Sequence, residues 1–306
     1  MEGRIIINQV LVLFIIAFIG FIAKKKNIIT AEVNKKLAEL LLFVTSPLLI
    51  ISSFNLGFSR DILSNVAIVF AFSISIHVVS ILLSKILFIR FPDNIKKVLQ
   101  YTAIYSNCGY MGFPVLESVF GKPSIFYGSI YLMVLNIFLW TNGVMIFAGG
   151  KDPKIMKKAL INPGIIAVAV AMIKFLFSIN LPTPLFKAIE MVGSMTSPLS
   201  MLIMGAILAD INLKTMFSGF ELYYGAIIRL LGIPVLTLAI LRLINFPAEL
   251  LGICIILIAM PAAANTAIFA EMFDGDSAFA SKVVAFTTLF STITIPVILM
   301  LIQHFV

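Results

Sequence analysis

Runs of about twenty apolar residues recur along this entire chain, and nothing else limits its fold so strongly. They cover roughly residues 5–23, 37–54, 62–88, 98–120, 124–148, 163–179, 189–208, 220–244, 250–273 and 279–302. In hydrocarbon every backbone N–H and C=O must bond within the protein, so each run reads as a membrane-spanning helix. Ten spans predict an all-α polytopic membrane protein. Hydrophobic residues make up 61% of the 306 positions and charged ones only 12%, too apolar a mix for a soluble domain's surface. The first run lacks a small-residue cleavage site and reads as a retained helix rather than a signal peptide.

The net charge of +8 does not point to nucleic acid, because the basic residues lie mostly in short loops between apolar runs. That placement reports orientation. Lys24, Lys25, Lys26, Lys35, Lys36, Lys85, Arg90, Lys96, Lys97, the Lys151–Lys158 cluster, Lys214 and Lys282 put about fifteen on one side. Arg4, Arg60, Lys122, Lys187 and Arg242 leave about five on the other. The positive-inside rule then predicts both termini on the non-cytoplasmic side of a cytoplasmic membrane. A long basic loop, 149–162, falls almost at the midpoint. It divides the chain into two five-helix repeats, 1–150 and 151–306, and five spans per repeat make the second inverted. Thr45-Ser46-Pro47-Leu48 returns about 151 residues later as Thr196-Ser197-Pro198-Leu199. Both motifs read first as proline kinks in supporting helices, softened by neighbouring hydroxyls.

Two spans are interrupted. Ser106-Asn-Cys-Gly-Tyr-Met-Gly-Phe-Pro114 places Gly109, Gly112 and Pro114 within six positions of the fourth span, and Pro114 cannot donate to the carbonyl four residues back. The ninth span carries Met260-Pro261-Ala262-Ala263-Ala264-Asn265-Thr266. Paired breaks at corresponding places in two halves are the strongest sequence pointer to a transporter's binding site. Half-helix ends with free amides carry partial positive charge, so two crossing breaks would hold a small organic anion such as a carboxylate. Asn107, Gly109, Tyr110, Gly112, Pro114, Pro261, Ala262, Asn265 and Thr266 form the expected substrate site. The bland alternative is that glycine and proline merely permit tight helix packing.

Ionisable groups inside spans are costly and usually serve a pathway. Arg229, in the eighth span, is a candidate anchor for an acidic substrate; snorkelling, or pairing with Glu221 or Glu271, is the alternative. His77, Glu117 and Glu271 are candidates for coupling to a proton or sodium ion, with interfacial capping as the competing reading for the two carboxylates. Asn136, Trp140, Asn142, Thr287 and Thr288 are candidate pocket walls, with simple interhelical hydrogen bonding as the alternative. No metal-ligand spacing, disulfide framework, nucleotide loop or nucleophile–base signature is present. No cofactor is expected, and transport would run on gradients or the membrane potential.

The Asn107-Cys-Gly-Tyr-Met-Gly-Phe-Pro114 motif resembles the auxin efflux carrier family. So do Ala259-Met-Pro-Ala-Ala-Ala-Asn265, Asp276-Ser-Ala-Phe-Ala-Ser281 and Thr287-Thr288, and the resemblance covers essentially the whole chain. That family includes plant PIN-type exporters and bacterial carriers associated with malate or malonate, and is distantly related to bile-acid sodium symporters. The resemblance implies a fold like the sodium/proton antiporters, with crossed broken helices in spans four and nine. It implies an elevator mechanism, in which a transport bundle of spans three to five and eight to ten moves against a scaffold of spans one, two, six and seven. It also implies a homodimer formed through the scaffold. The short mid-chain loop departs from the long hydrophilic one of many plant members. The expectation is a secondary efflux carrier of a small organic acid, with a cation-coupled symporter and a non-transporting ligand receptor as alternatives.

Overall fold

The computed structural model describes residues 3–55, 59–148, 163–210 and 216–305. The basic 149–162 loop, Lys214, the repeat junction and the side chain of Arg4 lie outside the described residues. The described residues form helices joined by short connections, with one isolated β-bridge. In chain order the helices are α1 (Gly3–Lys25), α2 (Ala31–Ser53), α3 (Arg60–Leu87), α4 (Asp93–Ile104), α5 (Phe113–Phe120) and α6 (Pro123–Ala148). They continue as α7 (Pro163–Leu176), α8 (Thr183–Ala209), α9 (Phe220–Leu243), α10 (Ala248–Ala259), α11 (Asn265–Met272) and α12 (Ser277–Phe305). Six of these, α2, α3, α6, α8, α9 and α12, are long and apolar enough to cross a membrane, and α7 and α10 are shorter apolar helices.

Helix ends depart from the hydropathy limits where polar residues take over. The helix α2 starts at Ala31, before the apolar run, because Thr30 accepts from the Val33 amide at 3.2 Å and caps it. Its first turns carry Glu32, Lys35, Lys36 and Glu39, which hydropathy reads as loop. At α12 the Asp276 carboxylate accepts from the Phe279 amide at 2.9 Å, starting the helix at Ser277.

Three prolines sit two residues beyond a widened π-helical turn. These are Pro47 after Leu41–Thr45, Pro114 after Cys108–Gly112 and Pro234 after Ile228–Gly232. A proline ring collides with the carbonyl four residues back; here that carbonyl belongs to Phe43, Tyr110 or Leu230, each inside the widened turn. The extra residue makes room for the ring without ending the helix. A fourth such turn, Leu139–Gly143, has no proline after it.

The polarity of the molecule is inside out for a soluble protein. Ile15, Phe18 and Ile19 of α1 and Leu236 and Ile240 of α9 face outward, Phe18 being 61% exposed, whereas Thr45, Ser73, His77, Asn107 and Arg229 are buried. A hydrocarbon solvent suits that surface. Without hydrophobic drive between helices, close packing through small residues must hold them together. A Cβ on Gly205 of α8 would collide with the Ala17 carbonyl oxygen of α1, and one on Gly20 with that of Leu202. A Cβ on Gly193 would meet the Leu49 backbone nitrogen of α2 at 2.8 Å. Thus α1, α2 and α8 pack with almost no side chain between them, and α7 lies on α2. The remaining helices pack chiefly with one another around the buried segments that join α4 to α5 and α10 to α11.

Candidate functional site

Between α4 and α5 the chain turns extended at Tyr105 (φ −105°, ψ 117°), and between α10 and α11 at Met260 (φ −62°, ψ 149°). The two extended pieces meet side by side and antiparallel, with Ser106 opposite Ala262. The Asn107 amide donates to the Pro261 carbonyl at 2.9 Å, and the Ala263 amide to the Tyr105 carbonyl at 3.1 Å. Ala262, between those bonds, donates outward to Thr287 Oγ1 at 3.2 Å. Each break thereby satisfies the other's backbone, which lipid could not do. Pro261 fits this scheme because it is needed only as an acceptor.

Arg229 closes the back of the crossing. Its Nε donates to Met260 O at 3.0 Å, Nη1 to Ala103 O at 3.0 Å and Nη2 to Ile258 O at 2.6 Å. Those carbonyls end α4 and α10, where a helix leaves acceptors unbonded and carries partial negative charge. The guanidinium fork reaches both ends at once, and the residue is only 2% exposed. Arg229 lies on the π-helical turn Ile228–Gly232. It shares a small pocket with His77, Ser80 and Tyr131, and no carboxylate is among the residues that line it. Since a carbonyl can only accept, His77 Nδ1–H donates to Ser73 O at 2.6 Å. The ring stacks on Phe138 with centroids 5.2 Å apart, and Nε2 is buried without a hydrogen bond.

In front of the crossing lies a cavity of about 400 Å³, whose walls include Asn107, Tyr110, Asn136, Trp140, Asn265 and, from α2, Ser46. Gly109 and Ala264 line it too, so the first turns of both half-helices border it. Those turns carry N–H groups that a helix cannot bond internally, and the arrangement suits an acceptor-rich ligand. Its walls extend to Pro163, at the start of α7, and Met272, at the end of α11. Another space, about 390 Å³ between α3 and α9, is walled by groups such as Ile68, Phe72, Leu236 and Ile240. It offers little to orient a polar ligand and matches a lipid chain better.

The expected site residues divide into three sets. Asn107, Gly109, Tyr110 and Asn265 line the cavity. Pro261, Ala262, Thr266, Gly112 and Pro114 are buried and build the crossing behind it: Thr266 Oγ1 donates to Ala263 O at 2.6 Å, and a Cβ on Gly112 would press on Leu257 and Met260 at 3.2 and 3.4 Å. Arg229 and His77 sit in their own pocket, and neither Glu117 nor Glu271 is among the cavity residues. Glu117 accepts a hydrogen bond from Ser197 Oγ of α8, while Glu271 is exposed near the end of α11. Among the expected wall residues, Asn136 and Trp140 do line the cavity, and Asn142 accepts from Tyr105 O–H at 3.0 Å. Sequence reasoning missed Met204 of α8, whose Sδ lies 3.6 Å from Asn107 Nδ2. An apolar residue in an apolar span carries no signal of that contact. Among the described residues, no three His, Cys, Asp or Glu side chains gather as a metal site.

Comparison with known proteins gives one consistent outcome. A family model described as a membrane transport protein matches residues 5–155 and again 151–299. An uncharacterized transporter of Methanocaldococcus jannaschii is 24% identical over 301 residues, covering 94% of this chain and 96% of the relative. One of Methanothermobacter thermautotrophicus is 25% identical over 201 residues, 65% of each chain.

Proposed function

Because the chain belongs to the membrane transport protein family, that of the auxin efflux carriers, we propose that it is a secondary carrier of a small organic anion. The observation that carries this reading is the antiparallel crossing of two interrupted helices in front of a 400 Å³ cavity lined by Asn107 and Asn265. Amides of two half-helix starts, with two carboxamides, can bind a carboxylate without a fixed cation in the cavity. The lack of a lining Asp or Glu among the cavity residues favours an anionic ligand over a cationic one.

In this reading the two five-helix repeats are inverted, and α1, α2, α7 and α8 form a scaffold. Helices α3–α6 and α9–α12 move as a bundle, in the manner of an elevator, exposing the crossing to each side in turn. The glycine contacts between α1 and α8 support a rigid scaffold. The carrier sits in the cytoplasmic membrane with both termini outside, exports its substrate, and pairs as a homodimer through the scaffold. Transport runs on an ion gradient or on the membrane potential, with a proton or a sodium ion as the candidate coupling ion.

Purified protein in proteoliposomes tests this. Counterflow of labelled mono- and dicarboxylates, with pH, sodium and voltage imposed separately, should give saturable flux responding to one gradient. Binding of a carboxylate, seen as a thermal shift, without flux under any gradient would mark a ligand receptor instead.

A further inference from the structure

The two Thr-Ser-Pro motifs are alike in most respects. Thr45 of α2 and Thr196 of α8 are both fully buried, each with an unpaired hydroxyl. The serines that follow differ. Ser197 donates to Glu117, near the C-terminal end of half-helix α5, and the neighbouring Lys122–Glu190 ion pair, at 2.6 Å, ties the same end of the bundle to α8. Ser46 instead stands on the cavity wall, with Asn265, Ile268 and Met272 of half-helix α11 also lining that space. Yet α11 also carries a glutamate near its C-terminal end: Glu271, three residues after Ile268 and so on nearly the same helix face. Each half of the chain thus supplies one serine beside a proline kink and one glutamate on a half-helix. One crosswise pair is made and the other is held apart.

We infer that Glu117–Ser197 and Glu271–Ser46 are reciprocal latches, of which this structure shows the first closed and the second open. The inference rests on the alternating-access reading above and adds to it the contacts that hold each end shut. A carboxylate–hydroxyl bond is charge-assisted, yet it breaks without stranding a buried ion, because Glu271 is exposed here and Glu117 is only partly buried. When the bundle shifts, Ser197 releases Glu117, α11 closes on α2, and Ser46 donates to Glu271 while the cavity disappears from that side.

The test needs no substrate. In the full chain carrying Cys108→Ala and Cys254→Ala, the buried native thiols are removed. The pair Ser46→Cys/Glu271→Cys is then added, and the rate of disulfide formation with an added oxidant is measured in proteoliposomes. Introducing Ser197→Ala or Glu117→Gln should raise that rate by about ten- to a hundredfold, the weight of one charge-assisted hydrogen bond. Size-exclusion profiles report whether each variant is folded, and the two substitutions act on the same bond from opposite partners. A rate unchanged by both overturns the latch and leaves alternating access standing. If the pair never links in any background, although each cysteine alone reacts with a small maleimide, α11 does not close on α2. The alternating-access reading then fails, and the latch with it.

Discussion

Arg229 and Ala103 are joined across two helices by an Nη1–H···O=C bond of 3.0 Å, and the same guanidinium holds Ile258 and Met260. Removing it strands three buried carbonyls at the ends of α4 and α10. Arg229→Met should therefore cost about 3–5 kcal/mol of stability. Arg229→Lys, which keeps the charge but not the fork, should lose roughly half of that. Thermal unfolding in detergent reads both. Because the guanidinium faces helix ends, surviving Arg229→Lys protein should lose flux of acidic and neutral test solutes alike; selective loss of the acidic ones would place the charge at the ligand.

Asn107→Ala and Asn265→Ala each delete a polar group from the cavity wall while leaving the crossing's backbone bonds in place. Each should weaken binding of a transported carboxylate about five- to tenfold, the worth of one hydrogen bond, with little change in unfolding temperature. Unchanged affinity in both would remove the site from this cavity.

Gly109 and Gly112 should respond differently to one added methyl. At Gly109 the nearest neighbour of a Cβ is Leu132 Cδ1 at 3.8 Å, whereas at Gly112 three side-chain atoms lie between 3.2 and 3.4 Å. Gly109→Ala should keep its melting temperature and alter KM, since Gly109 lines the cavity. Gly112→Ala should lose about 1–2 kcal/mol through overpacking. Equal melting temperatures for the two would contradict this packing.

Gly205→Ala puts a methyl onto the Ala17 carbonyl oxygen, and no side-chain rotation can relieve a backbone contact. About 3 kcal/mol or more of destabilisation is expected. Gly252→Ala is the comparison. Its Cβ would meet the Phe120 ring at 2.6 Å, and a ring can swing aside, so the loss should be smaller.

Much of this was legible in the sequence because lipid imposes so few solutions. A run such as 62–88 must be helical, since nothing else satisfies its backbone, and α3 occupies Arg60–Leu87. Gly109, Gly112 and Pro114 marked one interruption and Pro261 the other, since these residues weaken a helix locally whatever surrounds them. Partnerships were not legible. Arg229 announced itself as a costly buried charge, but that it spans the ends of α4 and α10 depends on where three helices meet. Ser197 was legible as part of a proline kink and not as the partner of Glu117, because the two come from different repeats. The start of α2 was hidden for another reason: its first turns are polar, and hydropathy cannot tell an amphipathic turn from a loop.

The Ser106–Ala262 bridge also sets an order of events during synthesis. The Asn107 amide and the Tyr105 carbonyl find their partners at Pro261 and Ala263, which the ribosome delivers only with the second half. Until then the fourth span holds unbonded peptide groups at a depth where lipid has nothing to offer them. The nascent first half must therefore keep that stretch wet, beside the insertion machinery or at the bilayer surface, and the binding site does not exist until the second half arrives. Expressed as separate halves, the protein would acquire its cavity only when the two fragments meet.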